Sequence, residues 1–385
     1  MSSSTTPTPY WRLSGFYFFY FASLGALVPS LSPYLKSLSY SPTQIGVLVG
    51  ITMATKIIAP NIWGWIADHT GQRMSIVRSG CLLAALSFIG ILFNQSFVWL
   101  VIVMSVFSFF WNAALPQFEA TTFNYLTDQE HRYSSIRLWG SIGFIIAVVG
   151  LGYAFEFISI AHFPWFVLVL LIAIWFTSLS VPESAAGHLA LDHEPLRKIL
   201  TKPHVMGLLV ACFCMQASHG PYYAVYSIYM LSFDYSSHTV GWLWGLGVFA
   251  EVVLFIYMFH IFKLASLRSL LMISLAIAAL RWLLIAALPE NLWVMLIAQV
   301  MHAATFGLYH VTAIRLIHQL FTGRHQGKGQ ALYSSLSYGA GGAVGALYSG
   351  FAWDYLGRSS VFALSVVFAL FGLWITWRYV RSESI

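Results

Sequence analysis

The stretch Ser41-Pro-Thr-Gln-Ile-Gly-Val-Leu-Val-Gly50 recurs in altered form as Ser236-Ser-His-Thr-Val-Gly-Trp-Leu-Trp-Gly245. Both stretches keep the Ser, a β-branched aliphatic residue, the first Gly, the Leu and the last Gly. They lie 195 positions apart, about half of the 385-residue chain. The same offset carries Arg73 onto Arg268. Self-similarity at half the chain length indicates a duplicated architecture.

The composition excludes an ordinary soluble protein. Hydrophobic residues make up 59% of the chain and Asp, Glu, Lys and Arg only 8%, whereas soluble domains carry about a quarter charged residues. A bilayer core needs about 20 apolar residues per helix, so the chain has room for about twelve spans and for no further soluble domain. We therefore expect an all-α membrane protein with twelve transmembrane helices in two pseudo-symmetric six-helix halves.

Apolar runs between polar breaks predict the spans, which are numbered 1 to 12 in chain order: 11–35, 44–66, 75–93, 97–126, 136–156, 163–181, 205–231, 239–262, 268–288, 291–319, 330–352 and 359–378. The longest polar stretch divides them six and six. It predicts an N-terminal half over 1–182, a cytoplasmic central loop over 183–204 and a C-terminal half over 205–385.

The basic residues predict the topology rather than a nucleic-acid partner. Of 19 Lys and Arg, most fall in the predicted loops on the side of the two termini, and only Lys36 and Arg358 fall in loops on the other side. Because cytoplasmic loops collect Lys and Arg, both termini are predicted to be cytoplasmic. We expect a multi-pass protein of the cell's inner (plasma) membrane.

Among the ionisable side chains of the predicted spans, six are candidate functional groups: Lys56, Glu119, Arg137, Glu251, Arg281 and His302. Such groups are costly in hydrocarbon and mark transport pathways or proton relays. The alternative is that they form structural ion pairs that only order the bundle. The offset of 195 carries Lys56 onto Glu251, which places opposite charges at equivalent points of spans 2 and 8.

The loop after span 2 reads Gly64-Trp-Ile-Ala-Asp68-His-Thr-Gly71-Gln-Arg73. It resembles the signature loop of the major facilitator superfamily, and this resemblance implies the twelve-helix fold and alternating access. Gly64 allows close helix approach, Gly71 a tight turn, and Asp68 with Arg73 a gating contact. The second-half counterpart, Lys263-Leu-Ala-Ser-Leu-Arg268, lacks the acid, so gating is expected mainly in the first half.

Glu119 on span 4 and Arg137 on span 5 are separated by 18 residues. In this spacing the chain resembles the lactose permease family, whose equivalent Glu and Arg bind the substrate. The resemblance is closer to the phenylpropionate permease branch, through 137–141, 218–223, 241–251, 281–282 and 299–302. Phe144 replaces the Trp that stacks on sugar in lactose permease, and Thr305 replaces its proton-carrying Glu. A galactoside substrate is therefore not expected, and the proton carrier must be sought elsewhere.

These observations predict proton-coupled uptake of a small organic solute, with an aromatic carboxylate such as phenylpropionate favoured. The predicted substrate contacts are Lys56, Glu119, Arg137, Trp111, Trp139, Phe144, Tyr222 and Tyr223. Those for proton coupling are Glu251, Arg281 and His302. Hydrocarbon favours the neutral form of a carboxyl and a nearby guanidinium favours the ionised form, so motion between Glu251 and Arg281 can load or release a proton.

The sequence leaves several alternatives open. A proton symporter of a neutral sugar or nucleoside is the runner-up, while a passive channel or an intramembrane enzyme represents another class. The aromatic residues suit helix packing as well as a ring-binding cavity. His302, His310 and His318 have no converging Cys or carboxylate, so no metal site and no cofactor are predicted. The expected partners are a small-molecule substrate, a proton and the lipid bilayer, for a monomeric protein.

Overall fold

The computed structural model describes residues 8–126, 129, 132–183, 197–322 and 326–380. The part of the predicted central loop at 184–196 lies outside the described residues, as do Arg324 and Arg381. The twelve helical spans observed are Tyr10–Ser37, Pro42–Thr70, Arg73–Leu92, Phe97–Tyr125, Tyr133–Ala154, Ile160–Ser180, Pro203–Ala224 continued by Tyr226–Leu231, Ser237–Leu264, Leu267–Ala287, Leu292–Leu320, the continuous run 326–356, and Ser360–Tyr379. A short helix, Arg197–Leu200, precedes span 7.

These spans confirm the all-α membrane architecture. In the described part of the chain, ten helices are long and apolar enough to cross a membrane. The other two crossings, spans 7 and 11, carry more polar residues and are locally irregular. Span 7 breaks at Val225, and span 11 contains a π-helical turn over Ser335–Gly341.

The repeated Ser of the two similar stretches is a helix N-cap in both halves. Ser41 accepts a hydrogen bond from the Gln44 N–H, and the Gln44 side chain accepts one from the Ser41 N–H at 3.0 Å. Ser236 likewise accepts from the Thr239 N–H. These bonds satisfy donors that a helix start leaves unpaired, so spans 2 and 8 begin at equivalent residues.

The repeated glycines allow the halves to meet. A Cβ built on Gly46 of span 2 would lie 2.5 Å from the Ala346 carbonyl oxygen of span 11. A Cβ on Gly241, the repeat equivalent in span 8, would lie 2.7 Å from the Val148 carbonyl oxygen of span 5. Because neither backbone leaves room for a side chain, glycine permits both close helix crossings.

These contacts lie on one side of the bundle, the side that holds Ser41 and Ser236; we call it the closed side. The side that holds Tyr10 and Tyr379 is called the terminal side. Two further contacts cross between the halves on the closed side. The Thr43 N–H donates to the Asp354 carboxylate at 2.9 Å, and the His238 N–H donates to the Glu156 carboxylate at 2.9 Å.

Spans 10 and 11 each contain a π-helical segment at mid-depth, Ala303–Leu308 and Ser335–Gly341. A Cβ on Gly307 would lie 3.0 Å from Glu251 Cγ, and one on Gly339 would lie 3.2 Å from the backbone nitrogen of Ile57, the neighbour of Lys56. The two irregular turns therefore pack against spans 8 and 2 beside the paired charges of the repeat. π-helical turns inside α-helices are frequent at functional sites.

Candidate functional site between the two halves

A buried polar cluster in the C-terminal half centres on Arg281. Its Nε donates to the Ala298 carbonyl at 2.8 Å, and Nη1 donates to His302 Nδ1 and Thr305 Oγ1, both at 3.1 Å. Nη2 donates to Gln299 Oε1 at 3.3 Å. Arg281 is fully buried, and no carboxylate of a described residue lies within 4 Å of it. The guanidinium is thus held by neutral acceptors.

Aromatic rings enclose this guanidinium. Its central carbon lies 4.6 Å from the centre of the Tyr222 ring and 4.4 Å from that of Trp282. The Tyr222 hydroxyl donates to Gln299 Oε1 at 2.9 Å, and Gln299 Nε2 donates to the Tyr226 hydroxyl at 2.6 Å. Contact with ring faces adds to the stabilisation of a desolvated cation.

The bond from Arg281 fixes the proton position on His302. Because a guanidinium cannot accept a hydrogen bond, Nδ1 of His302 must be the acceptor, and a neutral imidazole then carries its hydrogen on Nε2. That nitrogen lies 3.8 Å from Glu251 Oε2. The Glu251 side chain is 16% exposed. His302 therefore stands between Arg281 and Glu251, and these two side chains do not form a direct ion pair with each other.

His219 extends the cluster on the other side of Arg281. Its Nδ1 lies 2.8 Å from the Met215 carbonyl oxygen, so Nδ1 is the donor and Nε2 an acceptor. Nε2 lies 3.3 Å from Thr305 Oγ1, which also accepts from Arg281. Sequence reasoning did not identify His219, Thr305 or Gln299 as site residues, although the branch resemblance includes positions 219 and 299.

The cations of the N-terminal half are placed differently. The guanidinium carbon of Arg137 lies 3.7 Å from the centre of the Phe21 ring and 5.8 Å from that of Tyr17. Arg137 and Lys56 are both partly exposed. Neither makes a hydrogen bond or an ion pair with any residue in the described part of the chain. Glu119 accepts a hydrogen bond from the Tyr133 hydroxyl at 3.3 Å.

Lys56 and Arg137 both face the interior of the bundle. Ile58, two positions after Lys56 and on the opposite face of span 2, is 56% exposed and faces outward. Arg137 interacts electrostatically with Glu119 in its own half, and with Glu251 and His310 in the other half. Two unpaired cations and Glu251 therefore line the space between the halves.

The five predicted aromatic contacts have different surroundings. Trp111, Phe144 and Tyr222 are covered by protein in this conformation, and Tyr223 is partly exposed. The Trp139 Nε1 donates to the Tyr10 hydroxyl at 3.2 Å near the terminal side. Their contact with substrate stays a prediction, which for Trp111, Phe144 and Tyr222 requires another conformation.

The predicted gating loop forms a local ion pair. Asp68 Oδ1 lies 2.8 Å from Arg73 Nη2, and Arg73 Nη1 donates to Gln117 Oε1 of span 4 at 3.0 Å. Gly71 ends span 2 with φ of 68°, a conformation that favours glycine. A Cβ on Gly64 would lie 3.7 Å from Gln117 Nε2, so Gly64 also packs towards span 4.

The second-half counterpart of this loop has a neutral partner. Arg268 Nη2 donates to the Trp377 carbonyl oxygen at 2.5 Å. No Asp or Glu lies within ion-pair distance of Arg268 among the residues described. The asymmetry that the sequence predicts between the two loops is thus present in their contacts.

Span 10 presents a column of rings that sequence reasoning missed. The rings of His302 and Phe306 are 5.2 Å apart and nearly parallel, and those of Phe306 and His310 are 6.4 Å apart and nearly parallel. In a regular α-helix eight residues leave His310 about 80° away from His302. The π-helical turn at Ala303–Leu308 changes this rotation, which periodicity alone could not reveal.

Comparison with known proteins places this arrangement in a family. A model of the MFS_1 like family matches residues 10–364. The chain is 27% identical to the probable 3-phenylpropionic acid transporter of Escherichia coli K12, over 91% of this chain and 93% of that protein. It is 28% identical to the maltose permease of Geobacillus stearothermophilus, over 96% and 94%.

Solved structures share the fold. A crystal structure of a mutant of the nucleoside transporter NupG has a TM-score of 0.87 at 14% identity, covering 97% of this chain and 100% of that chain. A bacterial homologue of the human lysosomal transporter Spinster, inward-facing and unoccupied, has a TM-score of 0.74 at 14% identity, covering 99% and 100%. With its twelve spans and the match over 10–364, the chain belongs to the MFS_1-like family of major facilitator transporters and is a transporter, not an enzyme.

Proposed function

We propose that this transporter takes up a small organic anion together with a proton, and that its substrate is an aromatic carboxylate of the phenylpropionate type. The observation that carries the proposal is the unpaired state of Lys56 and Arg137. Both are partly exposed to the space between the halves, and neither has a hydrogen-bond or ion-pair partner in the described part of the chain. Unpaired cations at this depth are costly, and a bound carboxylate would compensate them.

The charges of the interior favour one anion. Lys56, Arg137 and Arg281 contribute three positive charges, and Glu119 with Glu251 contribute two negative charges when ionised. This net positive charge favours an anion such as a monocarboxylate over a cation. The relative named as a probable 3-phenylpropionic acid transporter supports the same substrate class.

Proton coupling is assigned to Glu251, His302 and Arg281. The Glu251 carboxyl is partly exposed. It faces His302 Nε2 and interacts electrostatically with Arg137. A substrate carboxylate near Arg137 would reduce that cation's effect on Glu251 and favour the protonated acid. Binding of the anion and of the proton would then reinforce each other, as a symporter requires.

A neutral sugar is the second candidate, favoured by a specific observation. The maltose permease relative has an identity of 28%, similar to that of the phenylpropionate relative. Glu119, Tyr133 and Arg137 could serve as a set of hydrogen-bonding groups for hydroxyls. A nucleoside could use the same groups, although likeness to the NupG fold does not argue for that substrate.

Alternating access would proceed by opening of the closed side. With cytoplasmic termini, the closed side faces outward and the structure corresponds to an inward-facing state. The Lys and Arg distribution supports this orientation in the inner membrane. We propose a monomer as the transporting unit, since the substrate groups come from both halves of one chain.

A binding screen tests the proposed substrate. Purified protein in detergent is challenged with 3-phenylpropionate, its amide, maltose and adenosine, and the midpoint of thermal unfolding is recorded. We expect a rise with the acid and a much smaller rise with the amide, because a ligand stabilises the state that binds it. Stabilisation by maltose with no effect of the acid would favour the sugar alternative.

A further inference from the structure

The rings at both ends of the span 10 column are hydrogen-bonded to neighbouring side chains. His302 receives the bond from Arg281, and His310 Nδ1 lies 2.9 Å from the Tyr338 hydroxyl and 3.1 Å from the Tyr333 hydroxyl. The Phe306 ring lies between these two anchored rings and meets the edge of Tyr338 at 6.2 Å between centres. Phe306 is thereby packed between two hydrogen-bonded rings while it remains partly exposed.

The column faces the space between the halves. His302 approaches Glu251 at one end, and Arg137 of the opposite half acts electrostatically on both Glu251 and His310. The part of span 2 that carries Lys56 also lies close to the column, because Ile57 packs on Gly339, the residue after Tyr338. An aromatic surface therefore stands opposite the two unpaired cations.

We propose that Phe306 is a specificity-determining residue, on which the aromatic ring of the solute packs while its carboxylate reaches Arg137 and Lys56. This inference rests on the proposed function for the carboxylate and adds a separate contact for the ring. Ring pairs contribute beyond the apolar area they bury. A ring-bearing solute would thus be preferred over a saturated one of similar size.

The test compares two acids that differ only in aromaticity. Binding of 3-phenylpropionate and of 3-cyclohexylpropionate is measured for the purified wild-type protein and for the Phe306→Leu and Phe306→Tyr variants. Phe371→Leu on span 12, where the side chain is 47% exposed on the outer surface, is the matched control. The Tyr variant keeps a ring and reports on folding at the same position.

We expect Phe306→Leu to weaken 3-phenylpropionate about two- to tenfold and to change 3-cyclohexylpropionate less than twofold. Phe306→Tyr and Phe371→Leu should bind both acids like the wild type. Equal losses for the two acids, or no loss for either, would overturn the role of Phe306 while leaving the carboxylate site intact.

Failure of the proposed function has a different signature. If neither acid binds to the wild type, the proposed substrate class is wrong, and adenosine then tests the ring contact alone. Weaker adenosine binding in Phe306→Leu would uphold the ring contact without the acid. If adenosine does not bind, or binds to Phe306→Leu as it does to the wild type, both the proposed substrate class and the ring contact are overturned.

A second inference rests on the closed side. Thr43 and His238, whose backbone N–H groups donate to Asp354 and Glu156, are 195 positions apart and hence equivalent in the repeat. Asp354 and Glu156 are 198 positions apart. The same offset separates Ala346 and Val148, whose carbonyl oxygens face Gly46 and Gly241, so the two carboxylates are also equivalent in the repeat. Each carboxylate thus sits on the first helical turn of the opposite half, where the helix dipole favours a negative charge.

We infer that Asp354 and Glu156 form a symmetric latch that favours the conformation closed on this side. Opening of the closed side would separate both carboxylates from the helix starts they contact. Since each contact is exposed to water, each contributes modestly, and the two act together. Loss of both should favour the conformation open on this side.

Distances between spin labels at Gln95 and Leu288, one in each half on the closed side, report on this equilibrium. We expect Asp354→Asn combined with Glu156→Gln to raise the population with the longer distance about threefold or more, and each single change to raise it less. Glu290→Gln, an exposed carboxylate on the same side, is the control and should leave the distances unchanged. A double variant that matches the wild type would overturn the latch.

Discussion

Lys56 and Glu251 occupy equivalent positions of the repeat, yet their surroundings differ. Glu251 faces His302, which is bonded to Arg281, and Arg281 is satisfied by neutral acceptors within its own half. Lys56 has no such network, and neither does Arg137, among the residues described. The C-terminal half thus contains a hydrogen-bonded cluster around Arg281 that approaches Glu251. The N-terminal half presents two cations without a hydrogen-bond or ion-pair partner among the described residues. The difference supports our proposal that the first half binds an anion and the second responds to a proton.

The loops after spans 2 and 8 show the same kind of divergence. In the first half Arg73 pairs with Asp68 and reaches Gln117 of span 4. In the second half Arg268 contacts a backbone carbonyl. The Arg268 bond links span 9 to span 12 through a neutral acceptor, whereas Arg73 combines a link to span 4 with an ion pair, which can be made in one conformation and broken in another.

Replacement of Glu251 should have the largest effect on transport and so tests the difference between the halves most severely. Glu251→Gln keeps the shape and hydrogen-bonding capacity of the side chain but cannot release a proton. We expect it to abolish accumulation of 3-phenylpropionate against a gradient in proteoliposomes while exchange of internal and external substrate continues. If uphill uptake persists and collapses with a protonophore, Glu251 is not the carrier.

Arg137→Lys sharpens the assignment in the first half. The change keeps the positive charge but loses the planar fork that pairs with a carboxylate at two points. Affinity for 3-phenylpropionate, measured by isothermal titration calorimetry, should fall by about 2–3 kcal/mol. Unchanged affinity would leave Arg137 as a structural neighbour of Glu119 and the Phe21 ring.

Lys56→Gln tests whether the second unpaired cation recognises charge. Removal of the ammonium should weaken binding of the acid about tenfold and leave the weak binding of its amide nearly unchanged, because only the acid loses a charged partner. Competition against a labelled substrate gives both affinities in one preparation. Equal losses for acid and amide would remove the main argument for an anionic substrate.

Asp68→Asn should have the smallest effect on binding. We expect substrate affinity within a few-fold of the wild type and a slower return of the empty carrier, because the ion pair with Arg73 is lost. Arg268→Gln in the counterpart loop is the matched control and should cycle at a rate closer to the wild type. Loss of binding with normal cycling would place Asp68 at the substrate instead.

Much of the architecture was predictable because membrane spans depend on long apolar runs. The repeat also identified Ser41 and Ser236, which are N-caps, and paired Lys56 with Glu251. These features follow from local chemistry and from an offset that can be counted. They need no knowledge of how one helix packs on another.

The site was less predictable because its details depend on packing. A π-helical turn brings Phe306 and His310 into line with His302, and nothing in the periodicity indicates it. Burial of Tyr222 follows from its contact with Arg281 and Trp244, which come from two other spans. Aromatic side chains that look alike in the sequence therefore differ in the structure: Phe306 is partly exposed, whereas Tyr222 is buried.

Proton uptake on substrate binding tests the division between the halves most directly. Calorimetric titration of 3-phenylpropionate in two buffers of different ionisation enthalpy gives the number of protons taken up per substrate bound. For the wild type we predict a net proton uptake that is greater than zero and does not exceed one proton per substrate bound. For Glu251→Gln we predict binding without uptake, and for Lys56→Gln weaker binding with uptake retained. Uptake that persists in Glu251→Gln but disappears in Glu119→Gln would contradict the account and place the proton in the first half.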